Sequence, residues 1–374
     1  MRSKLSVSII KKKKAMAFKN VIKSVFLTCL AIFSLNVSFA NSGKEKEKLE
    51  IMHHISDAHE WHLFGETAVY LPIILIDGGL KTFSSKELYH HGKVVNVQVP
   101  EGSEPIEYIA NAELGYAICH EKIYKLDANG ELTFHEGHPK NLKPLDFSIT
   151  KNTLSLFFGA TIILVLMFST ASFYKKNGAV APKGLAKFIE PLIVFVRDDI
   201  AKANLPKSKY LKYTPYLLTI FFFIFFNNLL GLVPILPGGA NLTGNISVTI
   251  VLATLTLLIT VFSGNKNYWK HIFATPGVPI ALLPIMVPIE IVGVLTKPFA
   301  LMIRLFANMT AGHIIILSLI SIIFVNENAA WGFLSVPMGL FISVLELLVA
   351  FLQAYLFALL SSLFISAAVE EAHH

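Results

Sequence analysis

Arg304, His313, Glu346 and Gln353 are charged or strongly polar residues set inside long apolar runs, where each needs a partner or a task. Residues 278–325 are almost wholly apolar yet carry Arg304 near their middle, and residues 332–369 carry Glu346 and Gln353. A guanidinium near the centre of a bilayer costs roughly 2.5–3.5 kcal/mol even on the lenient insertion scale. Arginine keeps its charge at any physiological pH. An imidazole titrates near neutrality, and a carboxylate in the same wet cleft can exchange a proton with it. One fixed cation beside two proton-exchanging groups suits the handling of charge inside a membrane.

The spacing gives these residues a common geometry. On a wheel of 100° per residue, Glu290, Lys297, Arg304, Asn308 and Ala311 fall within about 60° of one another, a polar and small stripe on one face. His313 falls on the opposite side. At 1.5 Å per residue Glu290 and Arg304 are about 21 Å apart along the axis, and Arg304 and His313 about 13 Å. Folding the two runs about a turn near Asn328 sets Arg304 level with Gln353 and His313 level with Glu346. Lys297 reads as a side chain reaching towards the membrane surface. Asn227 and Asn228 read as bonds between helices, and the Ala311-Gly312 region as room for close helix approach.

The elements that must hold this geometry follow from hydropathy. Residues 153–172 form a first span, and residues 214–235 and Ile246–Phe262 a hairpin of two more around a Pro/Gly/Asn-rich turn at 237–245. The runs 278–325 and 332–369 would extend about 70 Å and 57 Å as helices, against a hydrocarbon core of about 30 Å. They must tilt or bend, and Pro284, Pro288 and Pro298 are available kink points. Between the first two spans, residues 173–212 hold nine Lys/Arg against three acids. There Phe188, Leu192, Phe195, Val196 and Ile200 recur at helical spacing, as in a helix lying on the membrane surface. Basic loops belong inside, so this segment, Lys266 and Lys270 fall on the cytoplasmic side. The expected architecture is an all-α multi-pass membrane protein of five spanning segments plus one amphipathic surface helix.

The chain has 374 residues, 54% hydrophobic and 15% charged, too apolar for an ordinary soluble protein. Residues 1–40 hold eight Lys/Arg and no acid, and without them the formal charge falls from +7 to −1. A basic nucleic-acid face therefore has no support, and nucleic acid is not an expected partner. Those forty residues read as a secretory signal peptide: Lys19 and Lys23, an apolar stretch at 25–37, and Ser38-Phe39-Ala40 for cleavage. Met16 is an alternative start. The mature chain then keeps Cys119 alone, which excludes an internal disulfide.

Residues 41–150 are expected to form a small extracytoplasmic β-rich or α+β domain, ahead of a membrane ion-channel domain at 151–374. Strand-like stretches occur at 94–99 and on either side of Asp127-Ala128-Asn129-Gly130, where Asn-Gly signals a hairpin turn. Nine of the thirteen histidines lie at 53–138. His59 and His62 have the spacing of one helix face, but no cysteine or carboxylate pattern completes a metal site, so they read as surface histidines and no metal is expected. No Gly-Lys-Ser/Thr phosphate loop occurs, and no cofactor is expected.

The stretch Glu290-Ile291-Val292-Gly293, through Lys297-Pro298 and Arg304-Leu305-Phe306-Ala307-Asn308-Met309, to Gly312-His313 resembles subunit a of F-type ATP synthases. Leu352-Gln353-Ala354, Glu190-Pro191, Val196-Arg197-Asp198 and residues 241–249 resemble it too, so that the likeness covers roughly residues 150–371. Many members carry an acid where His313 stands and a histidine where Glu346 stands; here the two are exchanged. The resemblance implies a stator proton-channel subunit, not an enzyme by itself, in a bacterial inner membrane. It implies partnership with a rotating ring of c proteolipids, with the subunit b stalk and with the remaining synthase subunits. It further implies that Arg304 faces the ring carboxylates and blocks leak, that Asn308, His313, Glu346 and Gln353 line an outer half-channel, and that Glu290 lines the cytoplasmic one. A secondary proton-coupled transporter is the alternative; it calls for internal repeats, and none is evident.

Overall fold

The computed structural model describes residues 56–64, 67–97, 106–135, 137–233, 239–274, 279–325 and 329–370. The expected signal peptide and the charge run after it lie outside the described residues.

The first part is strand-rich. Its strands are β1 (Glu60–Phe64), β2 (Thr67–Tyr70), β3 (Pro72–Ile76), β4 (Leu80–Ser84), β5 (Lys93–Val97), β6 (Ile106–Asn111), β7 (Tyr116–Cys119), β8 (Lys122–Lys125), β9 (Phe134–His135), β10 (His138–Pro139) and β11 (Leu145–Asp146). One short helix, α1 (Ser85–His91), starts where the Ser84 hydroxyl accepts from the Lys86 amide. β5 to β8 form an antiparallel meander, and β11, β3 and β4 a second antiparallel sheet. Alternation sends successive β7 side chains to opposite faces. Tyr116 and Ile118 join a core with Ile73, Leu75 and Leu88, while Ala117 and Cys119 join another with Tyr108 and Tyr124. All four residues of β7 are buried, because both faces of its sheet are covered.

The Asn-Gly signal proved half right. Gly130 has φ +76° and its amide donates to the Asp127 carbonyl at 2.9 Å, so the turn exists. No ladder flanks it: β8 pairs with β7, and β9 with β10. The β7–β8 turn instead uses His120 and Glu121, both at positive φ (48° and 60°), a conformation that non-glycine residues seldom hold. The surface reading of His59 fails as well: it is 2% exposed. Residues 60–64 form a strand, so helical spacing does not apply to His59 and His62.

The second part is helical: α2 (Lys151–Asn177), α3 (Ala186–Phe195), α4 (Lys202–Asn204), α5 (Tyr210–Leu232), α6 (Ile246–Phe262), α7 (Lys266–Phe273), α8 (Leu283–Val325) and α9 (Gly332–Val369). Four of them, α2, α5, α8 and α9, are long and apolar enough to cross a membrane; α6 makes a fifth if it is taken with α7, from which it bends by 102°. The chain is a membrane-embedded multi-pass protein, mostly helical, with an N-terminal region of strands. α9 presents Ala350, Ala354, Ala358, Ser361 and Ile365, all fully buried, to a core that includes Leu217, Phe221 and Ile224 of α5. Small residues at this spacing let membrane helices approach closely, so dispersion contacts accumulate where no hydrophobic force acts. The last carbonyls of α9 are satisfied from outside the helix: Asn265 Nδ2 donates to Val369 O at 2.8 Å and Lys209 Nζ at 3.1 Å.

The basic segment is less superficial than its sequence suggests. Val196, Ile200 and Ala201, in a π-helical turn at Val196–Ala201, are fully buried in the main core, whereas Phe188 is 75% exposed. The buried face is therefore Ile189, Val196 and Ile200, which share one side of a helical wheel, turned from the side that Phe188, Leu192 and Phe195 mark. Arg197 holds Asp198 through two hydrogen bonds of 2.9 and 2.8 Å on the outer side of that turn.

Candidate functional site

α8 and α9 form an antiparallel pair, and their register brings His313 and Glu346 together. His313 Nδ1 lies 4.0 Å from Glu346 Oε1, with side chains 15% and 11% exposed. The same Nδ1 is 3.0 Å from the Met309 carbonyl, and Nε2 is 3.4 Å from the Gly231 carbonyl of α5. Backbone oxygens thus stand within hydrogen-bond distance of both ring nitrogens. Glu346 Oε1 has no hydrogen-bond partner among the described residues. A buried acceptor in that condition is costly unless water or a proton reaches it.

Gly312 makes this arrangement fit. A Cβ built there would run into Glu346 Oε1 and stand 3.1 Å from its Cδ. The sequence reading gave Gly312 to close helix approach; the space is filled by a carboxylate. Gly231 acts similarly, since a Cβ there would stand 3.2 Å from the Ala240 carbonyl and 3.8 Å from His313 Nε2.

Asn228 bonds between elements as expected. Its Nδ2 donates to the Ala350 carbonyl of α9 at 3.4 Å, and its Oδ1 accepts from Thr243 Oγ1 at 2.6 Å. Asn227 does not: its Nδ2 donates to the Phe223 carbonyl one turn earlier, and its Oδ1 is buried without a partner among the described residues. Thr310 Oγ1 donates to the Gly244 carbonyl at 3.4 Å, closing the loop before α6 against α8. Sequence reasoning missed Thr243 and Thr310, because hydroxyls in an apolar run carry no spacing signal.

Arg304 and Asn308 occupy a different face. Both are exposed, on the side of α8 that also leaves Phe299, Ile303 and Ala307 uncovered, while Leu301, Leu305 and Met309 fill the bundle core. Arg304 makes no ion pair among the described residues, and no hydrogen bond joins it to Gln353, which is 4% exposed inside the bundle. The register sets the two level, but helical phase turns them apart. Glu290 stands far along α8, half-exposed, within electrostatic reach of Tyr268. Lys297 places its ammonium 5.9 Å from the centre of the Phe364 ring, near the end of α9.

Residues 154–366 match the model of the family described as ATP synthase A chain. This chain belongs to that family. It is 46% identical over 296 residues to ATP synthase subunit a of Pelodictyon phaeoclathratiforme, covering 76% of this chain and 85% of that one. It is 49% identical over 244 residues to ATP synthase subunit a 2 of Chlorobaculum tepidum, covering 63% and 68%. With ATP synthase subunit a of Myxococcus xanthus it shares 45% over 236 residues, covering 62% and 76%. The family match takes in the helices from α2 onward, together with Arg304, His313, Glu346 and Gln353. Residues 50–147 match a separate model described only as a domain of unknown function (DUF8433).

Proposed function

We propose that this chain is the stator ion-channel subunit of an F-type ATP synthase. It conducts protons through two offset half-channels to and from the carboxylates of a rotating c-ring, and Arg304 prevents direct leak between them. The ring and the subunit b stalk are its membrane partners, and nucleotide chemistry belongs to other subunits. The strand-rich domain stands outside the cytoplasm and the C-terminus inside, which agrees with the basic residues of 173–212 at the opposite end of α2 from that domain. His313 and Glu346 then belong to the outer half-channel with Asn308 and Gln353, and Glu290 to the inner one.

One observation carries the reading. Arg304 is an exposed guanidinium on an uncovered face of a membrane helix, without a counter-ion among the described residues, while the His313–Glu346 pair lies on the other side of the same helix. A structural arginine would be paired within its own bundle. An unpaired one facing outward fits a carboxylate presented by another subunit. Its permanent charge attracts that carboxylate yet relays no proton. Arg304→Ala should abolish ATP-driven proton pumping in inverted vesicles while the complex still assembles. Normal pumping by that variant would refute the assignment.

A further inference from the structure

The strand-rich domain is joined to the membrane part by more than a tether. The Lys151 amide donates to the Ala58 carbonyl at 3.0 Å, and the Asn152 amide to Asp57 Oδ1 at 3.0 Å. The Leu71 amide donates to the His59 carbonyl at 3.1 Å. Asp57 and Ala58 thus accept from the first amides of α2, beside its Thr150 cap, a carboxylate at a helix N-terminus being favourable.

This junction buries the wrong residues for a mere support. His59, Glu60, Lys151 and Asn152 are all less than a tenth exposed. Tyr89 donates to Glu121 Oε2 at 3.1 Å, and Glu121 is held by the strained turn between β7 and β8. Both Asp57 and Glu121 act electrostatically on the Lys151 ammonium. A docking surface evolved for stability alone would be apolar, because buried ionic groups seldom outdo well-packed hydrophobic ones.

Three buried polar atoms here have no hydrogen-bond partner among the described residues: Nδ1 and Nε2 of His59, and Oδ1 of Asn152. His59 Nε2 lies 3.6 Å from Asp146 Oδ2, an ion-pair rather than hydrogen-bond distance. Asp146 is about a third exposed. Partial burial would raise its carboxyl, but the neighbouring His59 and Ser148 outweigh that and hold it below the ordinary carboxylate range. A carboxylate at the surface therefore faces a buried imidazole whose ring nitrogens make no hydrogen bond among the described residues.

The series continues inward. Asn227 Oδ1, also unpartnered, lies against Gly159 of α2, where a Cβ would run into it. Gly159 is seven residues below Asn152, about 10 Å along the helix. One turn nearer the domain end of α5 stands the Gly231 carbonyl, beside His313 and Glu346. The Lys151 ammonium reaches His313 electrostatically, so junction and pair share one field.

We propose that the junction between the strand-rich domain and α2 is the outer mouth of the proton path, with Asp146 and His59 as its entry pair and Asn152 the next polar contact inward. The inference rests on the reading of the chain as a proton-conducting subunit. The domain is then part of the conductor, and water threads the unpartnered atoms from Asp146 to Glu346.

The test uses the whole complex in membrane vesicles stripped of the catalytic sector, where passive proton flow is driven by a potassium diffusion potential. His59→Leu and Asn152→Leu should each lower the flow at least tenfold with normal assembly. Tyr174→Phe, which removes a buried hydroxyl near the other end of α2, should leave it unchanged. Wild-type flow in both leucine variants overturns the proposal. Should they fail to assemble, Asn152→Cys in a Cys119→Ser background is exposed to a membrane-impermeant thiol reagent from the outer side. Blocked flow, absent from the same background without Asn152→Cys, supports the mouth; undiminished flow overturns it. Arg304→Ala, assayed for ATP-driven pumping in inverted vesicles that keep the catalytic sector, reports on the channel reading separately. Pumping lost there with wild-type passive flow in His59→Leu and Asn152→Leu sinks the inlet alone.

Discussion

Gly312→Ala and Gly293→Ala make a matched pair that isolates the clearance around Glu346. Both glycines lie within α8, and replacing a mid-helix glycine by alanine should stabilise the helix by roughly 1 kcal/mol. At Gly293 a new Cβ meets nothing within 4 Å, so that gain should appear undiluted and activity should stay at the wild-type level. At Gly312 the Cβ would overlap Glu346 Oε1 and stand 3.1 and 3.2 Å from its Cδ and Cγ. Overpacking of that kind costs about 1–3 kcal/mol, so net stability should change by no more than about 2 kcal/mol and the complex should assemble. The functional effect should be much larger. The carboxylate has to withdraw by an ångström or so from a pair now 4.0 Å apart, and misplacement on that scale can cost about a hundredfold in rate. The assay is ATP-driven proton pumping in inverted vesicles, with the amount of assembled complex measured by blot. Equal pumping by the two variants would refute the argument that Gly312 exists to seat Glu346.

Further outcomes follow from the same geometry. His313→Ala and Glu346→Ala should each slow proton translocation strongly, with the double variant little worse than the poorer single, since the two act as one unit; the reciprocal swap should restore more activity than either half, and strictly additive losses without rescue would separate the two residues. The Lys125 and Tyr116 hydrogen bonds hold the Asp77 carboxyl below its ordinary 3.8. The stability from Asp77 is therefore complete above that value and lost as pH falls through the depressed one, so Asp77→Asn should sensitise the domain to protease at pH 7 and converge with wild type in acid. Burial pushes the Cys119 thiol up, so it should resist thiol reagents in the folded complex and react on unfolding; reaction in the native state would contradict its 1% exposure. N-terminal sequencing should find the mature chain beginning near Asn41, and an intact segment before Ala40 would refute cleavage.

The site was legible where a charge stood in an apolar run and poorly legible where the signal was an absence. Arg304, His313 and Glu346 announced themselves, and counting residues about the turn was enough to bring His313 and Glu346 to one level, because two straight helices joined by a short turn keep register. Arg304 and Gln353 shared a level by the same count but not a face: level depends on rise and facing on phase, and at 100° per residue Arg304 stands about 180° from His313, which is turned towards α9. The role of Gly312 escaped because a glycine gives no hint of what fills its space. In the strand-rich domain, composition gave the class of fold but not the pairing. Asn-Gly marked a turn without a ladder, and His120-Glu121, which carries no turn signature, made the true hairpin under strain imposed from outside the turn. His59 looked like a surface histidine because burial in a small sheet domain is decided by what docks on it, here the first turn of α2.

On the proposed reading, the distribution of small residues explains how a helical bundle can be wet at one end and closed at the other. Where α5 meets α9 beside Phe221 and Leu217, alanines and serines let the helices touch, and the hydroxyl of Ser362 turns back to its own backbone, donating to the Leu359 carbonyl at 2.6 Å. Among the described residues no buried side-chain nitrogen or oxygen there lacks a partner. Around His313 the small residues do the opposite. Gly231 bares a carbonyl, Gly312 admits a carboxylate, and Gly159 admits the amide of Asn227, so space that a methyl group could have filled is occupied by polar atoms. Two of these, Asn227 Oδ1 and Glu346 Oε1, have no partner among the described residues, and each would cost about 1–3 kcal/mol if it stayed dry. Such a cluster is tolerable only if it hydrates, and hydration stops where the unpartnered atoms stop. A proton admitted from the domain end can reach Glu346, but Arg304 and Glu290 lie on or towards the other faces of α8. It must therefore leave the chain for a partner's carboxylate before it can continue, which is what couples its passage to movement of that partner.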